Sequence, residues 1–504
     1  DEPAMGDPVT VTFVESWFGV PQFKRSLEPV TTEITRRLQA DGINVEFQSM
    51  LLDDHEAKYP VLYASGAEFT CAFDAPWYKM DSLIQQNALL PLEGLMNESG
   101  PNVKSSTGEE IVEFNFQEGP NEELHLFGIP ARFYYSGTSG VIIREDLREE
   151  YDASEPNSDE GYFSLEPYLA AIKENNPGMI PFANRPAYPM TAPNTWNRVM
   201  KEFATGLGIP NQFESTEIIS TEDMTWFQLA VELARSWYEQ GYLPQEAIAS
   251  DYDVLSDYFN VQKTACFQDN EPDYKAYEKG KAIAKSVEGA KAKGYDLSGQ
   301  RAGYKGKGTL KQWNFVVFNA NAPSEQHEAA MRVWDWFTAN QDNADLWLMG
   351  IEGENYIAED NLRYSDPEGI DATRNYRRQW YVSGITGEFQ RQPADLPSYA
   401  EEALDFFTTK ENFVYSPYDK FDVSTKEIET QLSAIDAAAE EASFGLDQGS
   451  VPTEEAFATY TQMLDDAGRQ QVREWYQAKY DAWVEENQDY IDGFETGYES
   501  YDRW

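Results

Sequence analysis

The N-terminal part of the chain alternates between strand-like and helix-like patterns, and this alternation limits the possible folds more than any other feature. Val9–Ser16 alternates apolar and polar residues as a strand does, and Leu27–Gln39 has apolar residues at helical spacing. The alternation continues with a strand over 43–50, a helix over 54–64, a strand over 69–73 and a helix over 79–86. Strands separated by helices of about ten residues predict a parallel sheet with helices on both faces, in an α/β fold.

Aromatic and acidic residues directly follow two of these strands. Trp17 follows the first strand, and Asp74 and Trp77 follow the third. In such sheets ligands bind at the carboxyl ends of the strands. These three residues are therefore expected to line a binding site.

A chain of 504 residues exceeds what one core usually organises, so two lobes are expected. Residues 126–140 change from apolar to aromatic to Gly- and Ser-rich, which is typical of a crossing between lobes, and 311–318 reads as a strand returning to the first lobe. Three hinge segments are predicted at 131–139, 307–312 and 371–378. The predicted first lobe comprises 1–137 and 310–370, and the second comprises 138–309 and 371–488, with a mainly helical C-terminal extension.

The chain ends in an aromatic tail, 489–504. Tyr490, Phe494, Tyr498, Tyr501 and Trp504 recur at intervals of three and four residues, as on one face of a helix. This stripe is predicted to pack the tail onto the body, with docking of a partner as the alternative.

The formal net charge of −49 argues against binding to nucleic acid or to anionic lipid. No apolar run approaches the ~18 residues that a membrane helix needs. The two cysteines, Cys71 and Cys266, are too few for a disulfide framework or a zinc site, and we expect free thiols. Neither a Gly-x-Ser-x-Gly, a His-Glu-x-x-His nor a Walker motif occurs, so no catalytic residue, metal or cofactor is predicted.

Several short sequence segments resemble those of the solute-binding proteins of bacterial ABC importers, in particular a lipoprotein branch of that family. They occur in the family's order and span roughly residues 9 to 490: Asn87–Glu93, Phe127–Ala131, Gly140–Arg148, Glu174–Phe182, Gly350–Tyr356, Leu446–Pro452 and Tyr460–Gly468. The final tail departs from this resemblance.

The resemblance implies a periplasmic-binding-protein fold, in which two lobes joined by a multi-strand hinge close on a ligand. It also implies an exported, extracellular protein held at the cell surface by a lipid anchor, which delivers its ligand to a membrane permease and acts as a monomer. Many relatives bind oligosaccharides, and some hold calcium early in the second lobe. Here residues 152–161 lack the spacing of acidic residues that a calcium loop needs, so no calcium site is expected.

An oligosaccharide ligand would need flat aromatic rings for its apolar faces and short polar side chains for its hydroxyls. The candidate rings lie in loops near the predicted cleft: Trp17, Trp77, Tyr134, Tyr135, Tyr188, Trp196, Tyr252, Trp313 and Tyr356. The candidate polar groups are Asp74, Asn194, Asp269, Glu271, Asn314, Glu352 and Asn355. Each of these residues could instead belong to the core.

Three other functions remain open. A peptide or another amphipathic solute could occupy the same fold. A glycoside hydrolase needs two carboxyl groups across a scissile bond, and the neighbouring Glu352 and Glu354 lie in one loop. A surface adhesin would show repeats and an anchoring motif, and neither is seen.

Overall fold

A computed structural model describes residues 6–16, 27–52, 54–66, 68–134, 140–183, 200–244, 252–269, 272–298, 306–370 and 375–498. These residues form two compact units. Unit 1 takes its described residues from Asp1–Phe133, Leu310–Leu396 and Asp422–Lys426. Unit 2 takes them from Tyr134–Thr309, Pro397–Phe421 and Glu427–Trp504.

The described strands are mostly short. In chain order they are β1 (Val9–Val14), β2 (Val45–Met50), β3 (Cys71–Asp74), β4 (Gln117–Glu118), β5 (Leu124–His125), β6 (Gly128–Pro130), β7 (Gly140–Arg144), β8 (Lys201–Ala204), β9 (Leu207–Ile209), β10 (Ile219–Ser220), β11 (Cys266–Asp269), β12 (Ala292–Asp296), β13 (Gly306–Lys307), β14 (Phe315–Phe318), β15 (Ile357–Glu359), β16 (Arg363–Ser365), β17 (Gln392–Pro393) and β18 (Phe413–Val414).

The α-helices carry most of the regular structure. They are α1 (Leu27–Ala40), α2 (His55–Ser65), α3 (Met80–Gln85), α4 (Glu93–Ser99), α5 (Pro101–Thr107), α6 (Glu109–Phe114), α7 (Glu145–Glu150), α8 (Glu166–Asn175), α9 (Thr225–Glu239), α10 (Tyr252–Asn260), α11 (Pro272–Ala284), α12 (Ser324–Phe337), α13 (Gln341–Leu348), α14 (Ser398–Thr408), α15 (Glu429–Asp447), α16 (Thr453–Asp466), α17 (Arg469–Glu486) and α18 (Gln488–Gly493). Single turns of 3-10 helix cover Gly161–Leu165, Thr221–Asp223, Trp380–Val382, Gly387–Phe389, Lys410–Asn412 and Pro417–Lys420.

Unit 1 contains a five-stranded sheet in the order β2-β1-β3-β14-β6. β1 pairs in parallel with β2 and β3, as the strand–helix alternation predicts. β14 is antiparallel to both β3 and β6, so the sheet is mixed and the expectation of a wholly parallel sheet is wrong at this strand. The reason is that β14 belongs to a later passage of the chain, which enters the sheet in the opposite direction.

The core of unit 1 is rich in aromatic rings from α12, α13 and the sheet. Phe337 and Trp347 stack with ring centroids 4.7 Å apart, and Phe13 meets Trp347 edge-on at 5.5 Å. Trp334 and Trp347 both donate their indole N–H to the carbonyl of Ser383, each at 3.0 Å. The segment around residue 383 is thereby tied to the core of unit 1.

A short late segment, Asp422–Lys426, also belongs to unit 1. The Ser424 hydroxyl donates to Gln85 Oε1 at 3.1 Å, and the Glu118 amide donates to Asp422 Oδ1 at 3.1 Å. Lys311 forms an ion pair with Asp422. Residues far along the chain therefore complete packing that begins near the N-terminus.

Unit 2 is built on a three-stranded antiparallel sheet with β7 between β11 and β12. Every residue of β7 is buried, as its continuous apolar run requires. Trp237 and Tyr168 are fully buried beside it. The C-terminal helices α15 to α17 belong to this unit, as the predicted helical extension requires.

The tail is anchored on unit 2, but not as one helical stripe. α18 ends at Gly493, and Gly497 has a φ of 65°, so the predicted helical spacing ends before Phe494. Tyr498 instead stacks on Phe213, with centroids 4.4 Å apart and planes 5° apart. The Tyr415 amide donates to the Thr496 carbonyl at 3.1 Å. Tyr501 and Trp504 lie outside the described residues.

Apart from the exact boundaries, the units differ from the predicted lobes at two segments, 371–396 and Asp422–Lys426, which were both assigned to the second lobe. The chain leaves unit 1 after Phe133 and returns after Thr309, within the predicted crossings. Residues 371–396 were assigned to the second lobe from their sequence, whereas the described part of this segment belongs to unit 1. The ion pair of Arg378 with Glu15 and the pairing of β17 with β16 hold it there.

Candidate functional site

A buried ion pair occupies the carboxyl end of β1. Both Nη atoms of Arg378 bind the carboxylate of Glu15, the residue after Val14. The guanidinium carbon lies 3.9 Å from the centroid of Trp347. Burial is the largest single effect and lowers the pKa of Arg378, but the charges and hydrogen bonds of Glu15 and Tyr376 together raise it above its usual value, so the guanidinium stays charged. Because the two charges compensate each other, the pair fixes this end of the sheet without offering a free charge to a ligand.

Asp74 lies at the carboxyl end of β3 and is fully buried. Its Oδ1 accepts from the amides of Ala75 at 2.7 Å and Lys79 at 3.1 Å, and its Oδ2 accepts from the Tyr59 hydroxyl at 2.8 Å. Burial raises the pKa of Asp74 to about 7, against the lowering effect of these donors. Asp74 therefore acts within the fold, where it holds the loop between β3 and α3.

That loop presents Trp77. The side chain of Trp77 is 52% exposed, which is unusual for so large an apolar ring. Its indole N–H donates to Asn314 Oδ1 at 3.2 Å, so the ring has a fixed orientation. Asn314 directly precedes β14, whose Phe315 pairs with Asp74 across the sheet. The sheet thus brings together three residues that the sequence analysis proposed for the site: Asp74, Trp77 and Asn314.

Further rings continue from Asn314 along the same unit. The ring of Phe133 lies 4.8 Å from that of Trp313 and 4.5 Å from that of Trp380, and Trp380 lies 6.0 Å from Tyr381. Trp313, Trp380 and Tyr381 are half-buried, so part of each ring remains accessible. We call this set the aromatic strip: Trp77, Asn314, Trp313, Phe133, Trp380 and Tyr381.

A glycine allows the strip its close packing. A Cβ atom on Gly387 would lie 3.1 Å from Cε2 of Trp380. Any larger side chain at this position would have to displace the indole ring. The local 3-10 turn over Gly387–Phe389 therefore supports the position of Trp380.

Two arginines next to the strip in the chain are paired with carboxylates. Arg132, beside Phe133, donates to the carbonyl of Ser106 at 2.8 Å and forms an ion pair with Glu388. Arg378, near Trp380, is paired with Glu15. Lys79, two residues after Trp77, instead places its ammonium over the Tyr78 ring, 5.3 Å from the centroid, so the strip has a cation close by.

Three predicted site residues lie in the segment 352–356, and two of them pack inside unit 1. Asn355 is buried, and its Oδ1 accepts from the Ile351 amide at 2.8 Å while its Nδ2 donates to Asn375 Oδ1 at 3.0 Å. Tyr356 is buried in the core of unit 1. Glu352 is exposed. Asn355 and Tyr356 therefore have the environment of core residues.

Three candidates belong to unit 2. Tyr134 is half-buried, and its carbonyl accepts from the Thr309 amide at 3.0 Å. Asp269 is buried at the end of β11 and pairs with Lys275, with Nζ 3.0 Å from Oδ1. Tyr252 begins α10, and its side chain is outside the described atoms. Trp17, Tyr135, Tyr188, Asn194, Trp196 and Glu271 lie outside the described residues.

Three strip residues were not proposed from the sequence: Phe133, Trp380 and Tyr381. Phe133 precedes two proposed tyrosines, and Trp380-Tyr381 follows the arginine pair at 377–378. An aromatic pair beside a predicted crossing is the signal that could have identified them. Their contact with Trp313 could not be read from the chain order.

Other chemistry is limited in the described part of the chain. No group of three or more His, Cys, Asp or Glu side chains there is placed to hold a metal ion. Cys71 and Cys266 are free and buried, as predicted, and burial raises the pKa of both thiols. No helix among the described residues has the length and apolarity to cross a membrane.

Known proteins resemble this chain along most of its length. A family model described as a domain of unknown function, DUF3502, matches residues 417–485. A carbohydrate ABC transporter substrate-binding protein of Streptococcus pneumoniae serotype 4 is 20% identical over 461 residues, which cover 88% of this chain and 85% of that protein.

Solved structures of known proteins have a similar fold over nearly the whole of this chain. The N-glycan transport solute binding protein NgtS of Streptococcus pneumoniae superposes with a TM-score of 0.72 at 15% identity, covering 95% of this chain and 99% of that one. The chain has the fold of a solute-binding protein. A human-milk-oligosaccharide (HMO) binding solute-binding protein of Bifidobacterium longum infantis gives a TM-score of 0.64 at 14% identity, covering 95% and 99%.

These comparisons confirm the resemblance to the solute-binding proteins of ABC importers and the predicted α/β fold of that class. The relatives named here are binding proteins rather than enzymes.

Proposed function

We propose that this protein captures an oligosaccharide outside the cell and delivers it to the membrane permease of an ABC importer. The observation that carries this proposal is the aromatic strip. It offers several accessible rings and an oriented indole at the end of the sheet where α/β proteins bind ligands. The named relatives, a carbohydrate transporter component and two oligosaccharide-binding proteins, support the same function.

The chemistry of the strip suits a neutral sugar. Pyranose rings present apolar C–H faces that stack on Trp and Tyr, while their hydroxyls need short polar partners. Arg378 is paired with Glu15 and Arg132 with Glu388, so these two arginines are compensated, and the net charge of −49 disfavours an anionic ligand such as a uronate or a sulfated sugar at long range. A neutral oligosaccharide is therefore the ligand class that we propose.

The proposed cycle uses closure of two lobes. A ligand that contacts both lobes binds the closed form more tightly and shifts the equilibrium toward it. The chain crossings near 131–139 and 307–312 would supply the hinge. Among the predicted site residues, Tyr134, Asp269 and Tyr252 belong to unit 2.

A thermal-shift screen over neutral and acidic oligosaccharides tests the ligand class. A ligand present at 100 times its Kd stabilises the folded state by about 2.7 kcal/mol, which is readily seen as a higher Tm. Man5GlcNAc, kestose, maltotetraose and an alginate trimer form a suitable first panel. A rise in Tm with alginate but not with the neutral sugars would contradict the proposal of a neutral ligand.

Isothermal calorimetry on single variants tests the strip itself. Trp77→Ala should weaken sugar binding about tenfold or more, since it removes one stacked ring. Phe163→Ala is the matched control, because Phe163 is an exposed aromatic residue of unit 2, 43% exposed, outside the strip. Unchanged affinity in Trp77→Ala would remove Trp77 from the site.

The alternatives make different predictions. A peptide-binding protein would show its Tm shifts with a peptide library and none with sugars. A glycoside hydrolase would release products during overnight incubation with the same oligosaccharides. We expect neither result.

The remaining parts of the proposal concern location and assembly. We place the mature protein at the cell surface, held by a lipid on its N-terminus, as a monomer. Palmitate labelling of the native precursor in its own cells tests the anchor, and light scattering after gel filtration tests the monomer.

A further inference from the structure

We propose that Asp74 is a positioning residue, which makes no contact with the ligand but fixes the loop that presents the Trp77 indole to it. This inference rests on the proposed function and deepens it. It assigns to Asp74 a role different from the direct hydrogen bonding to a sugar that its place at the end of β3 suggests.

The first argument is that the carboxylate is fully engaged within the loop. Asp74 has no exposed surface. Oδ1 binds both ends of the loop at once, the amides of Ala75 and Lys79 at 2.7 and 3.1 Å. Since Trp77 lies between these two residues, the carboxylate closes the turn that carries it.

The second argument is that the neighbouring residue is anchored in the same way. Tyr78 stacks on Tyr59 with centroids 5.8 Å apart, and its hydroxyl lies 3.3 Å from His55 Nδ1. Tyr59 also donates to Asp74 Oδ2. α2 and β3 thus hold the loop from beneath and leave Trp77 as its outward-facing ring.

The third argument concerns the outer contact of Trp77. Its indole N–H meets Asn314 Oδ1, and Asn314 is buried next to β14. This bond requires the loop to hold Trp77 at one height over the sheet. A shift of the loop by an ångström would break it, since hydrogen bonds weaken steeply with distance and angle.

Fluorine NMR of the protein labelled with 5-fluorotryptophan tests this without any ligand. The Trp77 resonance is identified as the one lost in Trp77→Phe. In Asp74→Ala we expect this resonance to move or broaden while the other Trp resonances keep their positions. In Asp74→Asn we expect it to stay, because the amide oxygen still accepts from Ala75 and Lys79.

Asp74→Glu provides a second variant in case the alanine variant does not fold. It keeps the charge but places the oxygens one methylene further out, so the Trp77 resonance should move. A Trp77 resonance that is unchanged in both Asp74→Ala and Asp74→Glu would overturn the proposal. So would an Asn variant that shifts it as far as Ala does.

Calorimetry separates this proposal from the function itself. With whichever of Man5GlcNAc and kestose raises the wild-type Tm, Asp74→Ala should weaken binding about tenfold, as Trp77→Ala does, and Asp74→Asn should stay within about twofold of wild type. A direct hydrogen bond from the carboxylate to the sugar would instead make Asn and Ala similarly weak. If no sugar binds, the proposed function fails while the NMR result still decides the role of Asp74.

Discussion

At the scale of single residues, the end of the unit 1 sheet holds two buried carboxylates in different states. Glu15 is compensated by the guanidinium of Arg378, whereas Asp74 is held only by amide and hydroxyl donors. A buried carboxylate without a cation is costly in its charged form, which is why burial raises its pKa. The two residues therefore predict different responses to pH and to substitution.

Asp74 should make stability fall as pH rises. Its pKa is 3.8 when unperturbed and about 7 in the fold, so between these values the folded state retains a proton that the unfolded chain has released. The stabilisation is complete below about pH 4 and is lost toward pH 7, at up to about 1.4 kcal/mol per pH unit. Asp74→Asn should lack this slope in urea unfolding at pH 5, 6, 7 and 8.

The comparison with Asp74→Asn is necessary because His55 acts in the opposite direction. Burial lowers the pKa of His55 from 6.5 to about 4. Between these two pH values the unfolded chain holds a proton that the folded state has released, so this contribution to stability grows as the pH rises. Parallel pH profiles for wild type and Asp74→Asn would contradict the assignment of the shift to Asp74.

The Glu15–Arg378 pair should be sensitive to loss of one partner. Glu15→Gln leaves the buried guanidinium without its counter-charge, and we expect the free energy of unfolding to fall by about 3–5 kcal/mol. The double variant Glu15→Gln/Arg378→Met removes both charges and should recover much of that loss. Denaturant unfolding of the three proteins measures both effects, and equal stability of single and double variants would argue against charge as the cause.

At the scale of elements, the short turn at Gly387 supports the aromatic strip. Gly387→Ala would bring a methyl group to 3.1 Å from Trp380, so the indole must move. We expect weaker sugar binding in calorimetry with little change in Tm. Gly94→Ala is the matched control, since a Cβ at Gly94 meets nothing within 4 Å. Equal affinity in both variants would show that the position of Trp380 does not matter for binding.

The C-terminal tail should contribute to the stability of unit 2 through Tyr498. Its ring stacks on Phe213, and its hydroxyl donates to Glu214 at 2.9 Å and accepts from Asn211 at 3.0 Å. Tyr498→Ala should lower the free energy of unfolding by about 1–3 kcal/mol. Tyr498→Phe keeps the stack and should lose less. If both variants match wild type in chemical denaturation, the tail does not stabilise the unit.

Local elements could be predicted from the sequence because their signals are local. The predicted helices at 27–39 and 54–64 occur as Leu27–Ala40 and His55–Ser65, and the first strand occurs within its predicted span. Apolar spacing over ten residues suffices to specify such elements. Where β14 inserts, and in which direction, depends on pairing with β3 some 240 residues away, and no local pattern encodes that.

The same limit applies to the site. Trp77 could be proposed because it closely follows a predicted strand, whereas Asn314 was proposed only for its polar side chain within the predicted strand 311–318. Whether a polar residue faces a ligand or the fold depends on its partners, and the partners of Asp74 and Asn355 come from α2 and from residue 375. Phe133 and Trp380 were missed because they meet only in the folded unit.

At the scale of the whole molecule, the net charge of −49 predicts how salt acts. Self-repulsion among surface carboxylates is screened as ionic strength rises, so Tm should increase between about 0.1 and 2 M KCl. A neutral sugar feels little of this field, so its Kd should change less than about twofold over the same range. A steep dependence of Kd on salt would indicate a charged ligand.

The return of Asp422–Lys426 to unit 1 has a consequence for biosynthesis. Gln85, Glu118 and Lys311 emerge from the ribosome long before Asp422 and Ser424, their partners in the finished unit. In unit 2, Tyr415 and Phe213 are likewise synthesised long before their partners Thr496 and Tyr498. Neither unit can reach its final packing until these late residues have been synthesised, so unit 1 stays incompletely folded while the chain between Lys311 and Asp422 is being made.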